Sequence, residues 1–228
     1  MDLLVLILQG VIVSATSLVF AAIGELVVER AGVLNLGLEG MMVLGAIAGF
    51  AVTLDTGSYV VGIAAAAVTG AIAASLFGFL TQILLSNQVA TGLALTIFGL
   101  GLSALLGQGY SGESTEPLAK IHIFFLSDIP IVGPLMFSHD PLVYLSLALA
   151  VGVAWFLAKT RTGLILRAIG ENHDAAHAIG YSVVGVRMAA LLFGGACAGV
   201  GGAYLSTVQT PLWVENITAG RGWIALAI

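Results

Sequence analysis

The polar side chains best able to do chemistry lie in one stretch, residues 24–40, between two apolar runs long enough to cross a bilayer. Its charged and amide residues are Glu25, Glu29, Arg30, Asn35 and Glu39. Charged groups in hydrocarbon are costly, so these residues must face water, a protein-lined cavity or a partner surface. We therefore expect function to be concentrated in this stretch.

A second polar concentration covers residues 159–181. Within it the sequence predicts a short helix from Glu171 to Ala178, with Asn172 able to cap it, Asp174 near its positive end and Gly180 placed to end it. His173 and His177 stand four residues apart on that helix and share a face, but no third ligand is evident nearby. Solvated histidines are favoured over a metal site.

The composition of the chain sets the class of fold that must position these residues. Of 228 residues, 59% are hydrophobic and 8% are charged, and the mean hydropathy is +1.10, whereas an ordinary soluble chain is about a quarter charged. The sequence therefore predicts an all-α polytopic membrane protein. The 30 glycines favour closely packed helices, because helices in lipid associate through small residues.

Apolar runs of spanning length predict a bundle of about six to seven transmembrane helices in a single domain over residues 1–228. The predicted spans are Leu3–Gly24, Ala31–Leu54, Tyr59–Leu85, Val89–Gly107, Pro141–Ala158 and Met188–Val208. A seventh apolar run opens at Trp223 and reaches only Ile228. It is either a short half-helix or the start of a missing helix, and we expect a C-terminally truncated chain.

Orientation follows from the basic residues, because cytoplasmic loops are enriched in Lys and Arg. Lys159, Arg161, Arg167 and Arg187 cluster in residues 159–187, which we place in the cytoplasm. Counting back through the spans puts Arg30 inside as well. It leaves the N-terminus, the loop 108–140, Lys120 and Arg221 outside. The outer loop contains apolar stretches such as Ile121–Leu126, and it is expected to be ordered and to carry a short surface helix.

Three blocks of sequence resemble the permease subunits of ABC-type importers, in the branch that serves branched-chain amino acids, ribose-like simple sugars and nucleosides. The first is Gly24 to Gly40, with Gly-Glu, Glu-Arg-Ala-Gly and Asn-Leu-Gly-x-Glu-Gly. The second is Arg167 to Asn172 with Ala175, Ala176 and Gly180, which resembles a coupling loop. The third is the small-residue run Gly194 to Tyr204. The phrases at 87–92 and 215–227 look most like the nucleoside importers.

The resemblance implies a transport subunit rather than an enzyme, lying as a multi-pass protein in the bacterial cytoplasmic membrane. Its partners would be ABC ATPase subunits, a second permease subunit, identical or related, and an extracytoplasmic substrate-binding protein, with lipid around them and no nucleic acid. The chain lacks a Gly-x-x-x-x-Gly-Lys-Ser/Thr phosphate loop. ATP and Mg²⁺ would therefore be held by the partner ATPase, and no cofactor or metal is expected on this chain.

Coupling to the ATPase is assigned by this resemblance to the cytoplasmic loop. The predicted coupling residues are Arg167, Gly170, Glu171, Asn172, Asp174, Ala176 and Gly180. For Arg167, anchoring at the lipid headgroups is an alternative role.

A nucleoside carries hydroxyls and base edges but no net charge, so its pathway needs amides and hydroxyls. The predicted pathway residues are Asn35, Glu39, Asn87, Thr91 and Gln209, and each could instead hold helices together. The alternatives to nucleosides are simple sugars such as ribose, or branched-chain amino acids. A passive channel or facilitator is the alternative of another class.

Overall fold

The computed structural model describes residues 2–116, 118–121 and 132–228, and the fold in these residues is helical. Six helices are long and apolar enough to cross a membrane, which confirms the predicted polytopic bundle. They are α1 (Asp2–Arg30), α2 (Leu38–Thr56), α3 (Tyr59–Gly78), α4 (Gln88–Gly107), α6 (Pro141–Lys159) and α9 (Val183–Tyr204). Shorter helices are α5 (Val132–Met136), α7 (Arg161–Glu171), α8 (His173–Ala178) and α10 (Arg221–Ala227).

Within the polar stretch 24–40, the end of α1 and the start of α2 differ from the predicted span ends. α1 continues through Glu25 and Glu29 to Arg30, beyond the expected end at Gly24. α2 starts at Leu38 rather than at Ala31, because Gly32 adopts a left-handed φ of +78° that turns the chain. Residues 31–37 therefore form a turn, which we name the inner turn, and Asn35 lies in it instead of in the second span.

Helices α2, α3 and α9 pack at backbone contact in the centre of the bundle. A Cβ atom on Gly45 of α2 would lie 2.3 Å from Gly199 Cα, and one on Gly199 would lie 2.1 Å from the Ala66 carbonyl oxygen of α3. Gly70 and Gly195 approach in the same way, at 2.0 Å for a Cβ on Gly70. The expected close packing of small residues is confirmed, and it leaves α2 the most enclosed of the six spans.

The segment after α9 returns into the bundle instead of staying at its outer end. It first meets the outer loop, where the Thr115 amide donates to the Pro211 carbonyl at 3.1 Å, and Trp213 packs under Gly107 and Phe50. It then runs inward to α10, which packs on α1 and α2. We name residues 210–220 the return segment. The loop predicted over residues 108–140 does carry a short helix, α5, whereas its apolar stretch 121–126 lies, apart from Ile121, outside the described residues.

Candidate functional site

The inner turn is held by hydrogen bonds to three neighbouring elements. Arg187 Nε of α9 donates to the Ala31 carbonyl at 3.0 Å, and the Leu34 amide donates to Gln88 Oε1 of α4 at 2.9 Å. Asn35 is fully buried, and its Nδ2 donates to Glu25 Oε2 of α1 at 3.3 Å. Asn35 thus ties the turn to α1, while Glu25 Oε1 has no hydrogen-bond partner among the described residues.

The predicted cytoplasmic loop, residues 159–187, presents two faces. On the inward face, Gly170 lies so close to the inner turn that a Cβ there would be 2.2 Å from the Arg30 carbonyl oxygen, and Ala176 is buried. The side chains of Glu171, Asn172 and Asp174 are exposed on the outward face. The loop can therefore contact a partner on one side and press on the α1–α2 connection with the other.

The predicted coupling helix is shorter than expected and is preceded by a second helix. Glu171 is the last residue of α7, and α8 begins at His173, because Asn172 is extended and interrupts the helix. Asn172 caps α8 as predicted, since its Oδ1 accepts from the Ala175 amide at 3.0 Å. Gly180 follows α8 with a left-handed φ of +93°. Arg167 is half-buried, and its Nε has no hydrogen-bond partner in the described part of the chain.

Glu39 joins the start of α2 to the return segment. Its Oε1 accepts hydrogen bonds from the Thr218 hydroxyl at 2.6 Å and the Gly220 amide at 2.8 Å. Its Oε2 accepts from the Gly222 amide at 2.6 Å. The side chain is 2% exposed. In this arrangement Glu39 fixes the first turn of α10 against α2.

Arg221 lies half-exposed against α1. Its Nη1 donates to Gln209 Oε1 at 2.9 Å and lies 3.5 Å from Ser17 Oγ, near the middle of α1. Gln209 Nε2 in turn donates to Ser14 Oγ at 3.4 Å. The predicted outer position of Arg221 stays a prediction; the structure adds that the return segment brings Arg221 back against α1.

The remaining two predicted pathway residues lie at the start of α4. Asn87 is exposed and caps that helix, with its Oδ1 accepting from the Ala90 amide at 3.0 Å. The hydroxyl of Thr91 is 2.8 Å from that of Ser86, at the edge of a mostly apolar groove of about 460 Å³. The five predicted pathway residues therefore lie in separate places: the inner turn and start of α2, the start of α4, and the Arg221 cluster.

Comparison with known proteins identifies the family of the chain. Residues 7–228 match the family described as "Branched-chain amino acid transport system / permease component". The chain belongs to this family. Its fold and the three blocks of resemblance agree with a permease of the ABC transporter type, a multi-pass membrane protein that in bacteria lies in the inner membrane.

The permease is similar to several named relatives over nearly its whole length. It is 41% identical to the putative glucose ABC transporter permease protein TsgC13 of Haloferax volcanii, covering 97% of this chain and 69% of the relative. It is 32% identical to the nucleoside ABC transporter permease protein NupC of Lactococcus lactis, covering 97% and 74%. It is 31% identical to the guanosine ABC transporter permease protein NupQ of Bacillus subtilis, covering 99% and 75%. No solved structure matches the chain.

These relatives confirm the family and the likeness to nucleoside permeases, and they include a sugar permease of higher identity. A permease of this kind is the transport component of an ABC system, which in general works with an ATPase and a substrate-binding protein.

Sequence reasoning missed the role of the return segment. Thr218, Gly220 and Gly222 gave no signal of their own, whereas Arg221, a cation between apolar residues, could have marked a buried polar site.

Proposed function

We propose that this permease forms one half of the translocation pathway of an ATP-driven importer for a neutral, hydroxyl-rich solute, with nucleosides as the first candidate. The observation that carries the proposal is similarity over 97–99% of the chain to permeases named for nucleoside, guanosine and glucose transport. Nucleosides and monosaccharides share a ring with neighbouring hydroxyls, so one kind of pathway lining serves both. Glucose or ribose is the second candidate, favoured by the 41% identity to the putative glucose permease.

The polar residues available to a solute support a neutral substrate. Asn87, Thr91 and Gln209 offer amide and hydroxyl groups at half-exposed or exposed positions, which suits hydrogen bonding to uncharged hydroxyls. Asn35 and Glu39, by contrast, are buried and occupied by bonds within the chain. We therefore propose that Asn35 and Glu39 shape the pathway while the other three residues line it.

Coupling is proposed to run through the cytoplasmic loop. The exposed Glu171, Asn172 and Asp174 would contact the ATPase, with Arg167 beside them. When ATP binding moves the loop, the contact between Gly170 and the inner turn would carry that movement to α1 and α2, so that the bundle alternates between outward-open and inward-open states. Ala176 anchors α8 on the bundle, and Gly180 lets the chain turn away behind it.

The test is uptake by the complete transporter, with its ATPase and binding protein, reconstituted in vesicles. We expect saturable, ATP-dependent uptake of labelled uridine and guanosine. Glucose and ribose are tested in parallel as sugars, and leucine is tested as a branched-chain amino acid. Uptake of a sugar but not of a nucleoside would select the second candidate. Equal uptake with and without ATP would instead establish a passive facilitator. Uptake of leucine alone would overturn the proposal of a hydroxyl-rich solute.

A further inference from the structure

Arg221 is a cation that forms no ion pair among the described residues, and its guanidinium reaches Ser17 near the middle of the spanning helix α1. In the described residues no carboxylate oxygen lies within 4.0 Å of its guanidinium. The carboxylate of the nearby Glu39 forms no direct ion pair with it and instead accepts from the Thr218 hydroxyl and the Gly220 and Gly222 amides. Among the described residues, the two side-chain hydrogen bonds of Arg221 both come from Nη1, to Gln209 and Ser17.

The face of the subunit that holds Arg221 is open. Arg221 and Gln209 are half-exposed and Ser14 is exposed, although all three stand on elements that are otherwise apolar. Most other exposed side chains of the spans are apolar, such as Leu6, Ile97 and Val151, and exposed charged ones such as Glu29 and Lys159 lie at the ends of their spans. An ionisable group at membrane depth faces the bundle interior or a water-filled cavity rather than lipid. The face around Arg221 is therefore turned away from lipid.

We infer that Arg221, Gln209 and Ser14 form a solute-binding site on the pathway side of the subunit, specific for a pair of neighbouring hydroxyl groups. The fully buried Ser17 holds the Arg221 guanidinium in place. This inference rests on the proposed function and identifies its recognition chemistry. A guanidinium presents several N–H donors in a rigid planar fork, of which the chain itself engages only Nη1 among the described residues. Two vicinal hydroxyl oxygens can accept from the free edge while their protons are donated to Gln209 and Ser14.

The residues of the proposed site come from three elements that meet beside α1. Ser14 and Ser17 come from α1, Gln209 from the π-helical turn that ends α9, and Arg221 from the start of α10. Glu39 holds the start of α10 in place, so the guanidinium is fixed relative to α1. Because these elements belong to the transmembrane bundle, relative movement of α1 and α9 during transport would open or close the site around the solute.

The test compares uridine with 2′,3′-dideoxyuridine, which lacks both ribose hydroxyls, in vesicles holding the complete transporter. Each solute is supplied at a concentration that saturates the binding protein, so the comparison reports on the permease. Arg221→Met should lower ATP-dependent uridine uptake about tenfold, as expected for loss of hydrogen bonds from a charged group, and should leave dideoxyuridine uptake unchanged. Lys120→Met, which removes an exposed cation in the outer loop, is the matched control and should behave as wild type.

A second variant keeps the test decisive if Arg221→Met folds poorly. Gln209→Glu places a carboxylate where Oε1 now accepts from Nη1 at 2.9 Å, so the guanidinium becomes paired within the chain. It should also reduce uridine uptake selectively. For a transporter that carries glucose instead, the matched pair is glucose and 2,3-dideoxyglucose.

The outcomes separate this inference from the proposed function. If wild type transports uridine or glucose with ATP but the variants keep the same preference for the hydroxylated solute, the site is wrong and the proposed function stands. If Arg221→Met separates the two permease subunits on size-exclusion chromatography, Arg221 pairs with the partner subunit and the inference is overturned. If wild type transports neither nucleoside nor sugar, the proposed function itself fails.

Discussion

Glu39 connects two segments that are 179 residues apart in the sequence at the Thr218 contact. Three donors point at one buried side chain, two of them backbone amides of the return segment and α10. A buried amide left without an acceptor costs about 1–3 kcal/mol. The bonds to Glu39 therefore stabilise a turn in which Asn216, Ala219 and Gly220 all have left-handed φ angles.

Glu39→Gln tests this role at the residue scale. The substituted side chain keeps its size but turns one acceptor oxygen into an NH₂ group, which must face a donor. We expect a loss of about 1–3 kcal/mol of stability, seen as a lower thermal midpoint in detergent. Glu215→Gln, an exposed carboxylate on the same return segment, is the control and should leave the midpoint unchanged. Equal midpoints for both variants would contradict the anchoring role.

Much of the bundle at the scale of elements could be predicted from the sequence, since hydropathy marks long spans well. The start of α2 was misplaced because Leu34 and Leu36 of the inner turn are as apolar as the span itself. Capping of α8 by Asn172 was predictable because a cap depends on neighbouring residues. The return of Arg221 into the bundle was not, because it depends on the contact with Glu39 and on side chains from α1, far away in the sequence.

Gly199→Ala tests the close packing of α2, α3 and α9. The new methyl group would lie 2.1 Å from the Ala66 carbonyl oxygen, and backbone cannot give way as a flexible side chain can. We expect about 1–3 kcal/mol of destabilisation, the usual cost of overpacking, measured as a lower thermal midpoint. The matched control is Gly152→Ala in α6, where a Cβ meets nothing within 4 Å. That control should be neutral or slightly stabilising, because Ala favours helix.

At the scale of the whole molecule, the contacts form a chain from the cytoplasmic loop to the proposed solute site. The outward face of α7 and α8 is exposed, and Gly170 on the inward face touches the inner turn. The inner turn is in turn hydrogen-bonded to α4, to α9 and to Glu25 of α1. α2 follows the inner turn directly and carries Glu39. We propose that movement of the loop reaches α10 and Arg221 through this series of backbone and side-chain contacts.

Replacing Glu171 and Asn172 together by Ala tests the first step of this path. Loss of the Asn172 cap costs about 1 kcal/mol, which the rest of the bundle can absorb, so the subunit should still fold and insert. Substrate-stimulated ATP hydrolysis by the assembled transporter should nevertheless be abolished, because both side chains are proposed to contact the ATPase.

Asn172→Ser, combined with Glu171→Ala, restores a capping oxygen without restoring the original surface, and it should remain uncoupled. Arg161→Ala, an exposed change elsewhere on the same loop, should retain stimulation. Undiminished stimulated hydrolysis in the double variant would place the ATPase contact somewhere other than the exposed face of α7 and α8.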